Sequence, residues 1–193
     1  FNYGELEKLY IDMYETVAMR FAKWYARYFD KYEQKGTDPK KFISIWLIAF
    51  NNYAKQNAAT NVVLVSGTAK KSLIKITQRL MSDPDFATTG ADEKARILRK
   101  QFKRYSRVQA LRLVRTESAR AGNYGIEQSA MKVYAGRQMK KRWMTSMDGR
   151  ERAWHGAANG QEVDFDKPFL VGGEYIKRPG EGSARNVINC RCS

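Results

Sequence analysis

The chain is predicted to be an α+β protein, with long N-terminal helices followed by a small, loop-rich mixed β module. Three observations carry this. Apolar residues recur at three- and four-residue steps through the first third of the chain, which is the period of one helix face. Around Gly136 the pattern changes to glycines, prolines and short apolar pairs such as "NGQEV", "DKPFLVGG" and "RPGEG", the composition of short strands and turns. The only two cysteines, Cys190 and Cys192, and the only histidine, His155, all fall in that last part. The expected division is 1–135, helical, and 136–193, a compact module.

Taken in order, "GELEKLYIDMYETVAMRFAKWYARYFDKYEQKG" places Leu6, Leu9, Met13, Val17, Phe21, Trp24 and Tyr28 on one face of a first helix. The tyrosines and phenylalanines nearby, from Tyr10 and Tyr14 to Tyr32, read first as a core stripe and second as a docking surface for another protein. Gly36 stops this helix, and Thr37-Asp38-Pro39 opens the next with a cap and a proline in its first turn. "KKFISIWLIAFNNYAKQ" is apolar enough for a largely buried helix, and "TAKKSLIKITQRLMSD" continues in helical style. After the turn-rich "DPDFATTGADEK", the segment 91–108 is an amphipathic helix. Its Arg96, Arg99, Lys100, Lys103, Arg104 and Arg107 point to one side, and Leu98, Phe102, Tyr105 and Val108 to the other. A further helix over 109–132 carries Ala110, Ser118, Ala121 and Gly125, small enough for close helix packing. Beyond Gly136, "QMKKRWMTSM" suits a strand.

Charge is distributed unevenly. The net formal charge is +15. Residues 91–142 hold 15 basic and 4 acidic side chains, whereas 143–193 hold 7 of each. That concentration suggests a local surface for a polyanion, the alternative on charge alone being a solvated helix that aids solubility. No apolar run approaches the length of a membrane span, so no membrane partner is expected. No secretory segment is visible, and the chain begins on Phe1, as a processed or trimmed product would. Two cysteines make no disulfide framework, which points to a reducing compartment.

Cysteines two apart on an extended segment face the same side, so Cys190 and Cys192 can share one ion while Arg191 faces away. His155 would add a nitrogen, and Asp148, Asp164, Asp166 or water a fourth donor. A Cys190–Cys192 disulfide would close a very small ring. Two buried apolar cysteines beside a hydrogen-bonded histidine are the plainer alternative.

The string "RWMTSMDGRERAWHGAANGQEVDFDKPF", then "PGEG", then "INCRC" resembles the C-terminal domain of phage head-morphogenesis proteins, the Mu F-like minor capsid family. Trp143, Thr145, Asp148, Arg150, His155, Cys190 and Cys192 are among the matching positions. "LVRTESARAGNYG" looks like that family's Arg-Thr-Glu helix, through Arg115, Thr116 and Glu117. The resemblance spans about 107–193. It implies a minor capsid protein of a tailed double-stranded DNA phage, present in few copies inside the head near the portal vertex, and in the host cytoplasm during assembly. The implied partners are the portal and other head proteins, with packaged double-stranded DNA facing the basic helix. Some members carry a cysteine three residues before the histidine; here that residue is Arg152. A hydrogen-bonded knot with no cofactor is therefore expected, zinc being the ion the three donors would take.

From the residues alone, a nucleic-acid-binding protein outside the virion and a metal-dependent hydrolase are the rival readings. The first would be expected to carry a base-reading element such as a helix-turn-helix, and none is recognised. The second would need more than one histidine or an oxyanion motif, so no catalytic residue is assigned.

Overall fold

The structure, a computed structural model, describes residues 3–33, 38–57 and 91–193. The helical stretch expected at 68–83 and the stop at Gly36 lie outside the described residues. Helix α1 runs Tyr3–Glu33. A 3-10 turn at Pro39–Phe42, capped by the Asp38 side chain accepting from the Lys40 amide, leads into α2 over 43–57. Helix α3 is a single rod, Ala91–Val133. Two helices were expected over this range, but nothing between Val108 and Gln109 breaks the backbone ladder, and so they fuse.

The sequence reading put the wide aromatic stripe of α1 forward as its apolar face, and the structure corrects this. The buried line is Tyr14, Ala18, Ala22 and Ala26, while Phe21, Trp24 and Tyr28 are 40, 52 and 43% exposed. Leu6, Leu9 and Met13 lie outside the described side chains. The reason is distance of approach. A β-carbon built on Gly125 of α3 would lie 2.2 Å from the Ala18 carbonyl oxygen, and the Ser129 hydroxyl donates to the Ala22 carbonyl at 3.0 Å. Backbones that close leave room only for small side chains, so the large rings turn outward. The small residues on α3 do permit close packing. Helix α2 is likewise only half-buried: Trp46, Phe50 and Ala54 enter the core, whereas Ile45, Leu47 and Ile48 are exposed.

The module that follows α3 has two small antiparallel sheets. Strand β1 (Lys140–Arg142) pairs with β2 (Glu162–Asp164), and β3 (Phe169–Val171) pairs with β4 (Glu174–Ile176). The β3–β4 turn is Gly172-Gly173 with φ of 58° and 82°, the left-handed pair that a two-residue hairpin requires. Short helices α4 (Ala153–Ala158) and α5 (Ala184–Val187) complete it. Trp143, Ala158, Phe169, Val171, Ile176, Cys190 and Cys192 form its core. The terminus closes the module, with Met144 and Ser193 exchanging both backbone hydrogen bonds at 2.7 and 2.9 Å.

Candidate functional site

His155 sits on α4, and the cysteines follow α5 at the end of the chain. Asn189, at φ 56°, turns the backbone after α5, a conformation asparagine tolerates better than most residues. Its amide donates to Thr116 Oγ1 on α3 at 3.0 Å. Beyond it, alternation points both sulfurs inward and sends Arg191 out to Asp148, Nη2 to Oδ1 at 2.8 Å.

Three sequence-predicted residues thereby meet. His155 Nδ1 lies 3.3 Å from Cys192 Sγ and 3.8 Å from Cys190 Sγ, and all three are buried, at 2, 4 and 2% exposure. Trp143 packs edge-on against the imidazole, centroids 5.6 Å apart. Its indole N–H donates to Thr145 Oγ1, which donates onward to the His155 carbonyl. Both cysteines are free thiols. The Cys190 thiol is lowered to about 7, chiefly by the hydrogen bond it receives from Cys192; that same bond, reinforced by burial, pushes Cys192 up.

Other predicted residues stand apart. Asp148 is at the exposed rim, accepting from the Arg150 amide at 3.1 Å. Its carboxylate is held below the usual range first by the hydrogen bond from Arg191. The guanidinium bonded to it is that of Arg191; Arg150, exposed on the loop, acts on it through its backbone amide and, more weakly, through its charge. Asp164 and Asp166 are exposed, and among the described residues the cluster of metal-capable groups contains only His155, Cys190 and Cys192. Arg152 donates to the Ile188 carbonyl at 2.5 Å.

The Arg-Thr-Glu helix has a different role from the knot. Arg115 is exposed, but Thr116 and Glu117 are buried. Glu117 accepts from Tyr14 OH of α1 at 2.7 Å and from Arg120 Nη1 at 2.9 Å. Arg120 Nε donates to the Gly180 carbonyl, and Asn123 Nδ2 to the Cys192 carbonyl, at 2.8 and 2.9 Å. Arg178 completes the seam. It pairs with Glu127 and Glu181, and its guanidinium lies 4.8 Å from the Tyr124 ring centroid. Burial works against that charge, but the two facing carboxylates outweigh it and Arg178 titrates above its ordinary value. A polar seam along one face of α3 therefore docks the module. Thr116, Arg120, Asn123 and Glu127 recur at helical spacing, a signal the sequence carried. Nothing local marked Arg178, Trp154 or Asn186.

Tyr14 is pushed well above its ordinary value, by burial first and then by the Glu117 charge. A raised folded-state pKa means stability fully present below about pH 10, the unfolded value, and lost as pH rises beyond it. Tyr14→Phe is expected to cost about 1.5–3 kcal/mol near pH 8, the range for a hydrogen bond to a charged group. That deficit should shrink at pH 11, as measured by urea unfolding at both values. A deficit unchanged between the two would contradict the buried phenol–carboxylate bond.

Of the basic face, Arg96, Lys100 and Arg107 are exposed, with Arg96 paired to Glu93 at 2.5 Å. The side chains of Arg99, Lys103 and Arg104 lie outside the described ones. No helix among the described residues is long and apolar enough to cross a membrane.

Fold and site define a helical scaffold bearing a small, self-closed terminal module. The chain belongs to the Phage Mu protein F-like family, whose model matches residues 57–193. It is also similar to the NAD(+)–arginine ADP-ribosyltransferase EFV of Enterococcus faecalis, 34% identical over 87 residues. That match covers 44% of this chain but only 18% of the enzyme's length. No solved structure matches the chain.

Proposed function

We propose that this protein is a minor capsid protein acting inside the head near the portal vertex, with the basic face of α3 turned to packaged double-stranded DNA. The observation that carries this is the line of exposed Arg96, Lys100 and Arg107. At 100° per residue they fall within about 40° of arc, on a helix segment far richer in base than in acid. Lys and Arg set along one line neutralise successive phosphates and release their counterions. On α1, exposed Trp24 and Tyr28 are bordered by Arg20, Lys23 and Arg27. Tryptophan, tyrosine and arginine are the residues that dominate protein interfaces, and this face is the one we assign to an acidic surface of a neighbouring head protein.

The reading contains no catalytic step. The histidine and both thiols are buried, and the stretch shared with the ADP-ribosyltransferase is a small part of that enzyme. The combined variant Arg96→Glu, Lys100→Glu, Arg107→Glu tests it. Its logarithmic salt dependence of DNA binding should flatten by about 3, at roughly 0.9 per phosphate contact, and its incorporation into heads should fall. Unchanged incorporation together with unchanged DNA affinity would reject this surface. Arginine ADP-ribosylation by the purified chain would reject the non-enzymatic reading.

A further inference from the structure

We propose that His155, Cys190 and Cys192 hold one borderline-soft divalent ion, zinc by its donor set, as a structural clasp on the end of the chain. The inference rests on the geometry of these residues and is independent of where in the head the protein acts.

The spacing of the donors fits. With Zn–S near 2.3 Å and Zn–N near 2.0–2.1 Å, a tetrahedral angle separates nitrogen and sulfur by about 3.5 Å. The observed separations, 3.3 and 3.8 Å, lie on either side of that, and the three ligand atoms all fall within 4.8 Å of one another. A hydrogen-bonded knot alone imposes no such common centre. It needs the nitrogen near one sulfur and leaves the other free to turn away.

The surroundings orient the ring for ligation. Asn186 Oδ1 receives the Trp154 indole N–H at 2.8 Å and lies 3.3 Å from His155 Nε2, while Asn186 Nδ2 donates to the Val171 carbonyl at 3.4 Å. The indole can only donate, and a carbonyl can only accept. Together they fix which end of the Asn186 amide faces the histidine. The oxygen faces Nε2, so Nε2 carries the proton and Nδ1 presents its lone pair to the two sulfurs. Metal-binding histidines are held in this manner, the second nitrogen donating to an oxygen that sets tautomer and ring plane.

Charge and access agree. Binding sends the two thiol protons to solvent, and two thiolates neutralise a divalent ion in a place where uncompensated charge is costly. Among the described residues no fourth histidine, cysteine or carboxylate joins the group, which leaves the last tetrahedral place to water. All three ligands are buried, so the role is to hold the terminus and not to meet a substrate.

The test uses the full chain, reduced, stripped with a chelator and titrated with cobalt(II), then zinc(II). The expected result is one cobalt per chain, with a sulfur-to-cobalt charge-transfer band and tetrahedral visible bands, all bleached by one equivalent of zinc. Cys190→Ser with Cys192→Ser should lose the charge-transfer band. Should that variant not fold, Asn186→Ala is the second, expected to weaken the ion about 10–100-fold while keeping the band. Wild-type protein that is helical by circular dichroism yet shows no stoichiometric cobalt–thiolate band overturns the proposal. Alkylation of both thiols at the same rate with and without zinc does so equally.

Discussion

Gly125→Val is expected to produce the largest loss of stability of any single change in the helical part. A β-carbon there would meet the backbone oxygen of Ala18 at 2.2 Å and its carbonyl carbon at 2.9 Å. Backbone cannot rotate away as a side chain can, so α1 and α3 must separate. Separation strips contacts from Ala18, Ala22 and Ala121, all of them fully buried, and pulls Ser129 off the Ala22 carbonyl. Overpacking typically costs about 1–3 kcal/mol and more where nothing can yield; helix propensity would return less than about 1 kcal/mol. A net loss of about 3 kcal/mol lowers Tm by roughly 6–12 °C at this chain length. Gly156→Ala is the matched control. Its new carbon would meet only Glu151 Cγ at 3.8 Å, and a change within about 0.5 kcal/mol is expected. Thermal melts of the two variants decide the matter. A Gly125→Val protein melting within about 2 °C of the parent would mean the helices do not approach so closely.

Glu117→Ala is expected to loosen the terminal module from the scaffold. Glu117 is 3% exposed and joins Tyr14 of α1 to Arg120 of α3, which in turn holds the Gly180 carbonyl. Removing it leaves a buried phenol without its acceptor and a half-buried guanidinium with only the Gly180 carbonyl, a break expected to cost about 3 kcal/mol, the lower end of the range for breaking a buried pair. Glu117→Gln keeps one oxygen to accept from Tyr14 and should cost less. Undocking has its own signature, faster amide exchange in 178–192 at temperatures where α1 remains protected. Uniform loss of protection across both regions, or a Tm within about 2 °C of the parent, would contradict a docking role. Gly180 adds a reason for the precision of the seam. Its φ is 93°, and a β-carbon there would lie 2.8 Å from Arg120 Cα, so the "PGEG" loop lies flat against α3.

Much of this was legible in the residues because it depends on local periodicity. Helix α1, the helical character of the basic segment 91–108 and the change of style near Gly136 follow from spacing and turn chemistry; the fusion of that segment with the helix after it does not. The Gly172-Gly173 hairpin and the Asp38-Pro39 start are likewise local signals. The convergence of His155 with the two cysteines was expected from their rarity and from the resemblance to the Mu F-like family, and the structure brings them together. The face that α1 buries was not legible. A stripe of large aromatics and a stripe of alanines repeat with the same period along the same helix, and hydrophobicity alone ranks the aromatics first. The choice belongs to α3, whose Gly125 and Ser129 accept a backbone and not a ring.

What the sequence by itself determined, then, is the order and type of the elements, the concentration of positive charge on 91–142, and the residue types able to close the terminal module. Those are properties of single residues and of neighbours a few positions apart. Only the tertiary structure decided that Asp148 pairs with Arg191 and stands outside the knot. The same is true of Arg178, which crosses to Glu127 and the Tyr124 ring, and of Asn186, which sets the proton on His155. Each of these depends on side chains 31 to 54 positions apart in the chain. No local period encodes such pairs, because the backbone path between them is set by turns and packing elsewhere, and a polar side chain finds its partner only once that path is closed.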